Sequence, residues 1–265
     1  MPSAAAELES VAVDLASGAA AEIRAAAGGD VTVSAKSTAT DLVTDVDRRV
    51  EAWLAARINV LRPDDAILGE EGTGRAGSSG VRWVLDPIDG TVNFVLGIAH
   101  YAVSVAAELD GVVVAGAVCN PVSGELFRAH SGGGAWLGDR RLSGPRGVPV
   151  SAAVVGTGFG YDRDRRERQA RVVAALLPQV ADIRREGAAS LDLCSLAAGR
   201  LDAYFEAGLN LWDYAAGGLI ATEAGCLVTG LRGRGPSAAM TAAAGPSCAQ
   251  DFFELLERID ADAVL

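Results

Sequence analysis

The chain has 265 residues, half of them hydrophobic, enough for one large domain or two small, closely packed ones with a full core. Its 34 acidic against 23 basic side chains give a formal charge of −11, which argues against nonspecific nucleic-acid binding but leaves a phosphorylated substrate open, because bound cations reverse a local field. No apolar run is long and charge-free enough to span a bilayer, and four scattered cysteines with only His100 and His130 argue against a structural zinc site and for a reduced, cytoplasmic setting.

Residues 4–27 read as a first helix rather than a signal peptide, since the segment carries early acids and no basic leading region. Gly28-Gly29-Asp30 ends it, and Val31-Thr32-Val33 begins an extended stretch. Val46, Val50, Leu54, Ile58 and Leu61 fall near helical spacing and stop before Pro63, which predicts a second helix. Short apolar runs then predict strands over 66–68, 81–85, 101–109, 112–118 and 125–129, with Asp110-Gly111 and residues 121–124 as hairpin turns. The stretch Ser131-Gly132-Gly133-Gly134 and residues 138–149 are rich in turn formers and mark the passage from a first half, 1–145, to a second, 146–265. The second half alternates: a strand at 153–156, a charged helix at 164–177, a helix at 190–198, a strand at 201–205, a helix at 212–224 and an amphipathic helix at 249–259. The mixed-sign run at 162–168 reads as a solvated helix face. An antiparallel β layer followed by α/β alternation predicts a layered α/β sandwich.

One stretch stands apart from this pattern of elements. WVLDPIDGTVNF, residues 83–94, sets two carboxylates three residues apart beside a strand that reads as buried, and buried carboxylates need a partner. Pro87 pushes Asp86 toward an extended conformation and forces a turn that swings Asp89 to the same side. Gly90 permits close approach to the backbone, and Thr91 stands at a helix start, a natural phosphate site. Either aspartate alone would read as a turn or cap residue. Together with the bare carbonyl of Ile88 they make a metal-plus-phosphate arrangement.

Four further segments accompany it: KSTATDLVTDVD (36–47), ILGEEG (67–72), REGAASLDLCSLAAGRLDAYFEAG (185–208) and LWDYAAGGLIATEAG (211–225). In this order, over nearly the whole chain, the five resemble the inositol monophosphatase family of metal-dependent sugar and polyol phosphatases. The resemblance implies an α+β fold, the α-β-α-β-α sandwich of the inositol monophosphatase and fructose-bisphosphatase type. It implies two or three Mg²⁺ ions held by Glu70, Asp86, Asp89, Asp213 and the backbone carbonyl of Ile88. All-oxygen ligation is what magnesium demands, and the histidine-poor composition agrees. It places the phosphate on the amides of Gly90 and Thr91, and has Glu70 and Thr91, with Asp47 behind Thr91, orient the attacking water. Ile88, Asp89, Ala189, Glu206 and Asp213 would face a small phosphorylated polyol, with Arg184 nearby.

The residues leave alternatives open at several of these positions. Glu206 also fits a strand-end carboxylate in solvent, and Arg184 and Arg185 could pair with Asp182 or Glu186 on the surface. Lys36 and Asp41 fit a mobile loop near the metals, with a plain surface place open to Lys36. His100 reads as structural, Asp192 as a packing or interface residue and Cys194 as core. The implied activity is Mg²⁺-dependent hydrolysis of myo-inositol 1-phosphate or a similar polyol phosphate, inhibited by lithium, by a homodimer with neither membrane nor direct nucleic-acid partners. Relatives that hydrolyse fructose 1,6-bisphosphate, histidinol phosphate, NADP or nucleotide 3′-phosphates are the rival enzymatic readings. A protein-binding role in transcription complexes, known for some bacterial members, is the non-enzymatic one.

Overall fold

The computed structural model describes residues 3–26, 32–35 and 42–264; Lys36 and Asp41 lie outside them. Helix α1 (Ala4–Ala26) buries the stripe Leu8, Ala12, Leu15, Ala19 and Ile23, a three-to-four-residue period. Strands β1 (Val33–Ala35) and β2 (Leu42–Thr44) pair antiparallel. Helix α2 (Asp45–Leu61) starts at a capping box: the Thr44 hydroxyl accepts from the amides of Val46 and Asp47, and the Asp47 carboxylate accepts from the Thr44 amide.

Eight strands follow as one sheet: β3 (Ala66–Gly69), β4 (Gly74–Arg75), β5 (Val81–Asp89), β6 (Ala102–Leu109), β7 (Val112–Cys119), β8 (Leu126–His130), β9 (Gly134–Leu137) and β10 (Arg140–Arg141), with helix α3 (Thr91–Leu96) between β5 and β6. Their order is β10-β9-β8-β7-β6-β5-β3-β4. Every pairing is antiparallel except β3 with β5. A second sheet has the order β12-β11-β13-β15-β14, made of β11 (Val154–Thr157), β12 (Asp182–Arg184), β13 (Ala203–Glu206), β14 (Leu227–Thr229) and β15 (Thr241–Ala244). Helices α4 (Arg163–Leu176), α5 (Ala189–Ala197), α6 (Leu211–Glu223) and α7 (Ala249–Arg258) intervene in chain order.

Alternation along the strands sorts the side chains into layers. Trp83, Leu85, Val103, Val105 and Ala117 face α1 and α2, whereas Val84, Ala102, Ala106 and Val118 face α5 and α6. On their other side α5 and α6 meet Tyr204 and Ala243 of the second sheet. The far face of that sheet, with Val155, Phe205 and Ala242, packs on α4 and α7. The result is the expected α-β-α-β-α sandwich.

The structure departs from the sequence reading at the smaller strands. The turn-rich stretch after β8 contains the β9–β10 hairpin that closes one edge of the sheet, and β12, β14 and β15 were not expected. β12 and β14 have three residues each, too few for alternation to register. β15 is Thr-Ala-Ala-Ala, wholly buried, so it shows neither alternation nor the β-branched and aromatic residues that signal a strand.

The middle helices approach closely where α6 carries Gly217, the first of two adjacent glycines. A Cβ on Gly217 would lie 2.9 Å from both the Leu193 Cβ and the Ser190 carbonyl oxygen of α5, whereas one on Gly218 would meet only Val228 at 3.8 Å. Neighbouring substitutions should therefore have opposite signs. Gly217→Ala should lower stability to urea unfolding by about 1–3 kcal/mol through overpacking. Gly218→Ala should raise it by about 0.5–1 kcal/mol through helix propensity.

Candidate active site

β3 and β5 run parallel, with Gly69 opposite Leu85, so the residues that follow each strand emerge side by side. The Glu70 amide donates to the Leu85 carbonyl (3.1 Å), setting Glu70 next to Asp86. The loop carrying Glu70 is held from below by Glu51 of α2. That buried carboxylate accepts from the amides of Glu71 (2.7 Å) and Thr73 (2.8 Å), and Gly69 leaves it room, since a Cβ there would lie 2.5 Å from it. On β5 the pairing with β6 shifts register between Asp86 and Asp89, an irregularity that turns both carboxylates to one side. Gly90 then adopts φ +93°, and a Cβ there would crowd the Gly187 and His100 carbonyl oxygens at 3.1 and 3.2 Å. Thr91 opens α3 with its hydroxyl 3.1 Å from Asp47 Oδ1 and 3.0 Å from the Ile88 carbonyl oxygen.

Two elements of the second half complete the cleft. Asp213 sits in the first turn of α6, where its Oδ2 accepts from the Asn210 amide (2.6 Å). Glu206 ends β13 and accepts from the Tyr204 hydroxyl (2.7 Å). Glu70, Asp86, Ile88, Asp89, Gly90, Thr91, Ala189, Glu206 and Asp213 line one cleft of about 300 Å³. Asp47 stands behind Thr91 rather than on the wall.

The electrostatics are those of acids crowded together. Asp86 is 1 % exposed, and its Oδ1 has no hydrogen-bond partner. Burial, then the charges of Glu70, Asp89 and Asp213, push its carboxyl well above the usual range. Burial raises Asp89 to about 6, although the Ser190 amide (2.7 Å) and hydroxyl (2.5 Å) both donate to its Oδ2 and pull it down. Asp213 is pushed well up by burial and then by Asp89, against the pull of the Asn210 amide. Burial holds Glu206 near 7. An orphaned buried oxygen within a set of repelling carboxylates, beside a backbone carbonyl, is a donor set that fits hard divalent cations and needs their charge.

Arg184 requires a correction. It does not line the cleft; its guanidinium lies 2.5 Å from Asp182, two residues back on the same face of β12. Arg185, one residue on, takes the cleft side, stacked over the Phe159 ring at 6.0 Å. Sequence reasoning also missed Arg165 and the segment from Gly158 to Tyr161, which form part of the wall. Arg165 falls in the mixed-sign run that reads as a solvated face, and only the glycines of Gly158-Phe159-Gly160 hint that this loop must pass close to other groups. There a Cβ on Gly158 would lie 2.0 Å from Glu206 Oε2, and one on Gly160 2.5 Å from Arg165 Cδ.

Known proteins share this arrangement of segments. The inositol monophosphatase family matches residues 4–259. A relative from Mycobacterium tuberculosis, named inositol-1-monophosphatase SuhB, is 47% identical, the match covering 96% of this chain and 95% of that one. A relative from Vibrio cholerae, named Nus factor SuhB, is 42% identical over 195 residues, covering 73% of each. The solved structure of extragenic suppressor protein SuhB from Bartonella henselae superposes with a TM-score of 0.90 at 33% identity, covering 95% of this chain and 99% of that one.

The crowded acids give stability a pH dependence. Asp89 binds its proton up to about pH 6 when folded but has an ordinary value of 3.8 when unfolded. Between those values the folded chain holds more protons, so its contribution falls as pH rises, by about 3 kcal/mol for this group. Asp86 and Asp213 shift in the same direction. In chelator, the stability of wild type relative to Asp86→Asn should decline from pH 4 through pH 7, and a divalent cation should remove the decline. Parallel profiles for the two proteins would show that the acids do not burden one another.

Proposed function

The chain belongs to the inositol monophosphatase family, a family of phosphatases, and from that premise we propose that it is a magnesium-dependent phosphomonoesterase acting on myo-inositol 1-phosphate or a similar polyol phosphate. The observation that carries this reading is the buried, unpartnered Asp86 Oδ1 among Glu70, Asp89 and Asp213, next to the Gly90–Thr91 turn. Glu70, Asp86, Asp89, Asp213 and the Ile88 carbonyl would hold two or three Mg²⁺ ions. When bound, the ions would neutralise the phosphate dianion and lower the pKa of water.

The chain's own residues have distinct tasks in this reading. The Gly90 and Thr91 amides receive the phosphate, which α3 admits because its first amides have no partner within the helix. The Thr91 hydroxyl carries one proton. Directed to Asp47 Oδ1, it leaves the oxygen lone pairs to accept from the attacking water, whose other side faces Glu70. The water oxygen bonds to phosphorus as the ester P–O bond breaks in line, and the alcohol leaves with a proton. Asp89, Asp213, Ala189 and Glu206 meet the hydroxyls of the polyol. A Glu206 carboxyl near 7 accepts or donates a hydrogen bond with almost equal ease at neutral pH. Arg185 takes the place at the cleft mouth first given to Arg184.

Lithium inhibition, a homodimer and a cytoplasmic place belong to the same reading; no helix among the described residues is long and apolar enough to cross a membrane. The name of the Vibrio cholerae relative supports a second role, a protein contact in transcription complexes, which does not require the cleft.

Purified protein should release phosphate from myo-inositol 1-phosphate only with Mg²⁺. Asp86→Asn and Asp213→Asn should each lower kcat by about 10²-fold or more, and Thr91→Ala by a similar factor. Activity that survives both aspartate substitutions would overturn the assignment of the site. A kcat/KM far higher for fructose 1,6-bisphosphate, histidinol phosphate, NADP or a nucleotide 3′-phosphate would overturn the substrate alone.

A further inference from the structure

A second cluster of ligand-type side chains lies outside the acids of the cleft. His100 follows α3, Glu186 precedes α5, and Asp192 lies within α5; one ligand atom from each falls within 4.8 Å of the others. His100 Nε2 is 3.5 Å from Glu186 Oε2 and 3.5 Å from Asp192 Oδ1. The Asp192 side chain is 2 % exposed, and neither its Oδ1 nor His100 Nε2 has a hydrogen-bond partner.

These separations bear on two explanations. A charged N–H···O⁻ bond closes to about 2.7–2.9 Å, so a protonated imidazole bridging two carboxylates should sit well inside 3.5 Å of at least one. Two ligands of one tetrahedral dication, with bonds of about 2.0–2.2 Å, stand roughly 3.4 Å apart. Charge agrees. Against the opposing effect of burial, Asp192 and Glu186 raise the affinity of His100 for a proton, so the cluster draws positive charge, and a dication meets the same demand.

We propose that His100, Glu186 and Asp192 form a second cation site, separate from the cleft, that takes a borderline dication of the zinc class through one imidazole nitrogen and two carboxylate oxygens. The mixed nitrogen–oxygen set distinguishes it from the all-oxygen cleft and disfavours Mg²⁺. The composition had argued against a structural zinc site for want of cysteine and histidine ligands, but carboxylates supply two of the three here.

The backbone is already arranged for such a site. The Asn93 side-chain amide donates to the His100 carbonyl (2.7 Å) and to the Glu186 carbonyl (2.8 Å), fixing two of the ligand-bearing residues relative to each other. The third lies on the helix whose Ser190 grips Asp89. The cation would therefore clamp the loop after α3 to α5, joining the two segments that meet at Gly90. Glu186 is 39 % exposed, which leaves a path for entry and a place for a water as fourth ligand.

The test uses the full chain carrying Asp86→Asn and Asp213→Asn, so that the cleft no longer competes for metal. Zinc alone is titrated calorimetrically into chelator-treated protein, and Co²⁺ is added separately as a spectroscopic probe. One equivalent of Zn²⁺ should bind, and Co²⁺ should give a tetrahedral ligand-field spectrum. His100→Gln or Asp192→Asn should weaken binding by roughly 100-fold or more and abolish the spectrum. Glu186→Gln, at a half-exposed position that folding tolerates, should weaken it by at least about tenfold. If no equivalent binds, or if Glu186→Gln and His100→Gln leave the affinity unchanged in folded protein, the cluster is a proton-bridged ion group and the proposal falls. Because the cleft is silenced throughout, the result is independent of whether the cleft hydrolyses phosphate esters.

Discussion

Mutual repulsion among buried carboxylates is the constraint around which the cleft is built. Asp86, Asp89 and Asp213 all have their carboxyls raised by burial and by neighbouring carboxylates, and each belongs to an element that cannot withdraw without dismantling a layer. Asp86 and Asp89 end a strand whose Trp83 and Leu85 are fully buried against α1 and α2. Asp213 starts a helix pressed between the two sheets. The apolar layers hold the acids in place; the acids do not hold the layers. Such an arrangement stores a preference for positive charge before any ligand arrives.

Three of the acids are also aimed by hydrogen-bond donors, near or distant in the chain. Ser190 of α5 grips Asp89, the Asn210 amide grips Asp213, and Thr44 grips Asp47, which in turn meets the Thr91 hydroxyl. Glu51 does the same for the Glu70 loop through the backbone of its neighbours. The contacts of Ser190, Asp47 and Glu51 link α5 and α2 to the ends of β3 and β5. A change in helix packing, such as at Gly217 against Ser190, is therefore transmitted to the orientation of an acid.

The parts of this design that are local in sequence were legible there. Helix α2 showed its buried stripe of Val46, Val50, Leu54 and Ile58, and Asp86, Pro87, Asp89 and Gly90 declared a turn with two carboxylates because each residue type has a separate steric or charge consequence. What depended on distant partners was not legible. Arg184 ends a three-residue strand and Arg185 directly follows it, a run too short for the pleat to show which faces inward. Glu51 looked like any polar residue of an amphipathic helix until the loop amides 20 and 22 residues away came to it. His100 and Asp192 are 92 positions apart, and nothing local to either predicts their approach. β15 was hidden for another reason: alanine in a layer buried on both faces carries no periodic signal.

The caps on these aspartates also limit how they can grasp. Asp89 commits Oδ2 to two donors of Ser190, and Asp213 commits Oδ2 to the Asn210 amide. Asp89 is left to present a single oxygen, and Asp213 one free oxygen with its second partly engaged, rather than an open two-oxygen edge. A large ion such as calcium gains from seizing such edges at distances of about 2.3–2.6 Å, while a small octahedral ion is content with one oxygen per ligand at about 2.0–2.1 Å. If the cleft holds cations as proposed, hydrogen bonds placed to start helices would also favour a small ionic radius there.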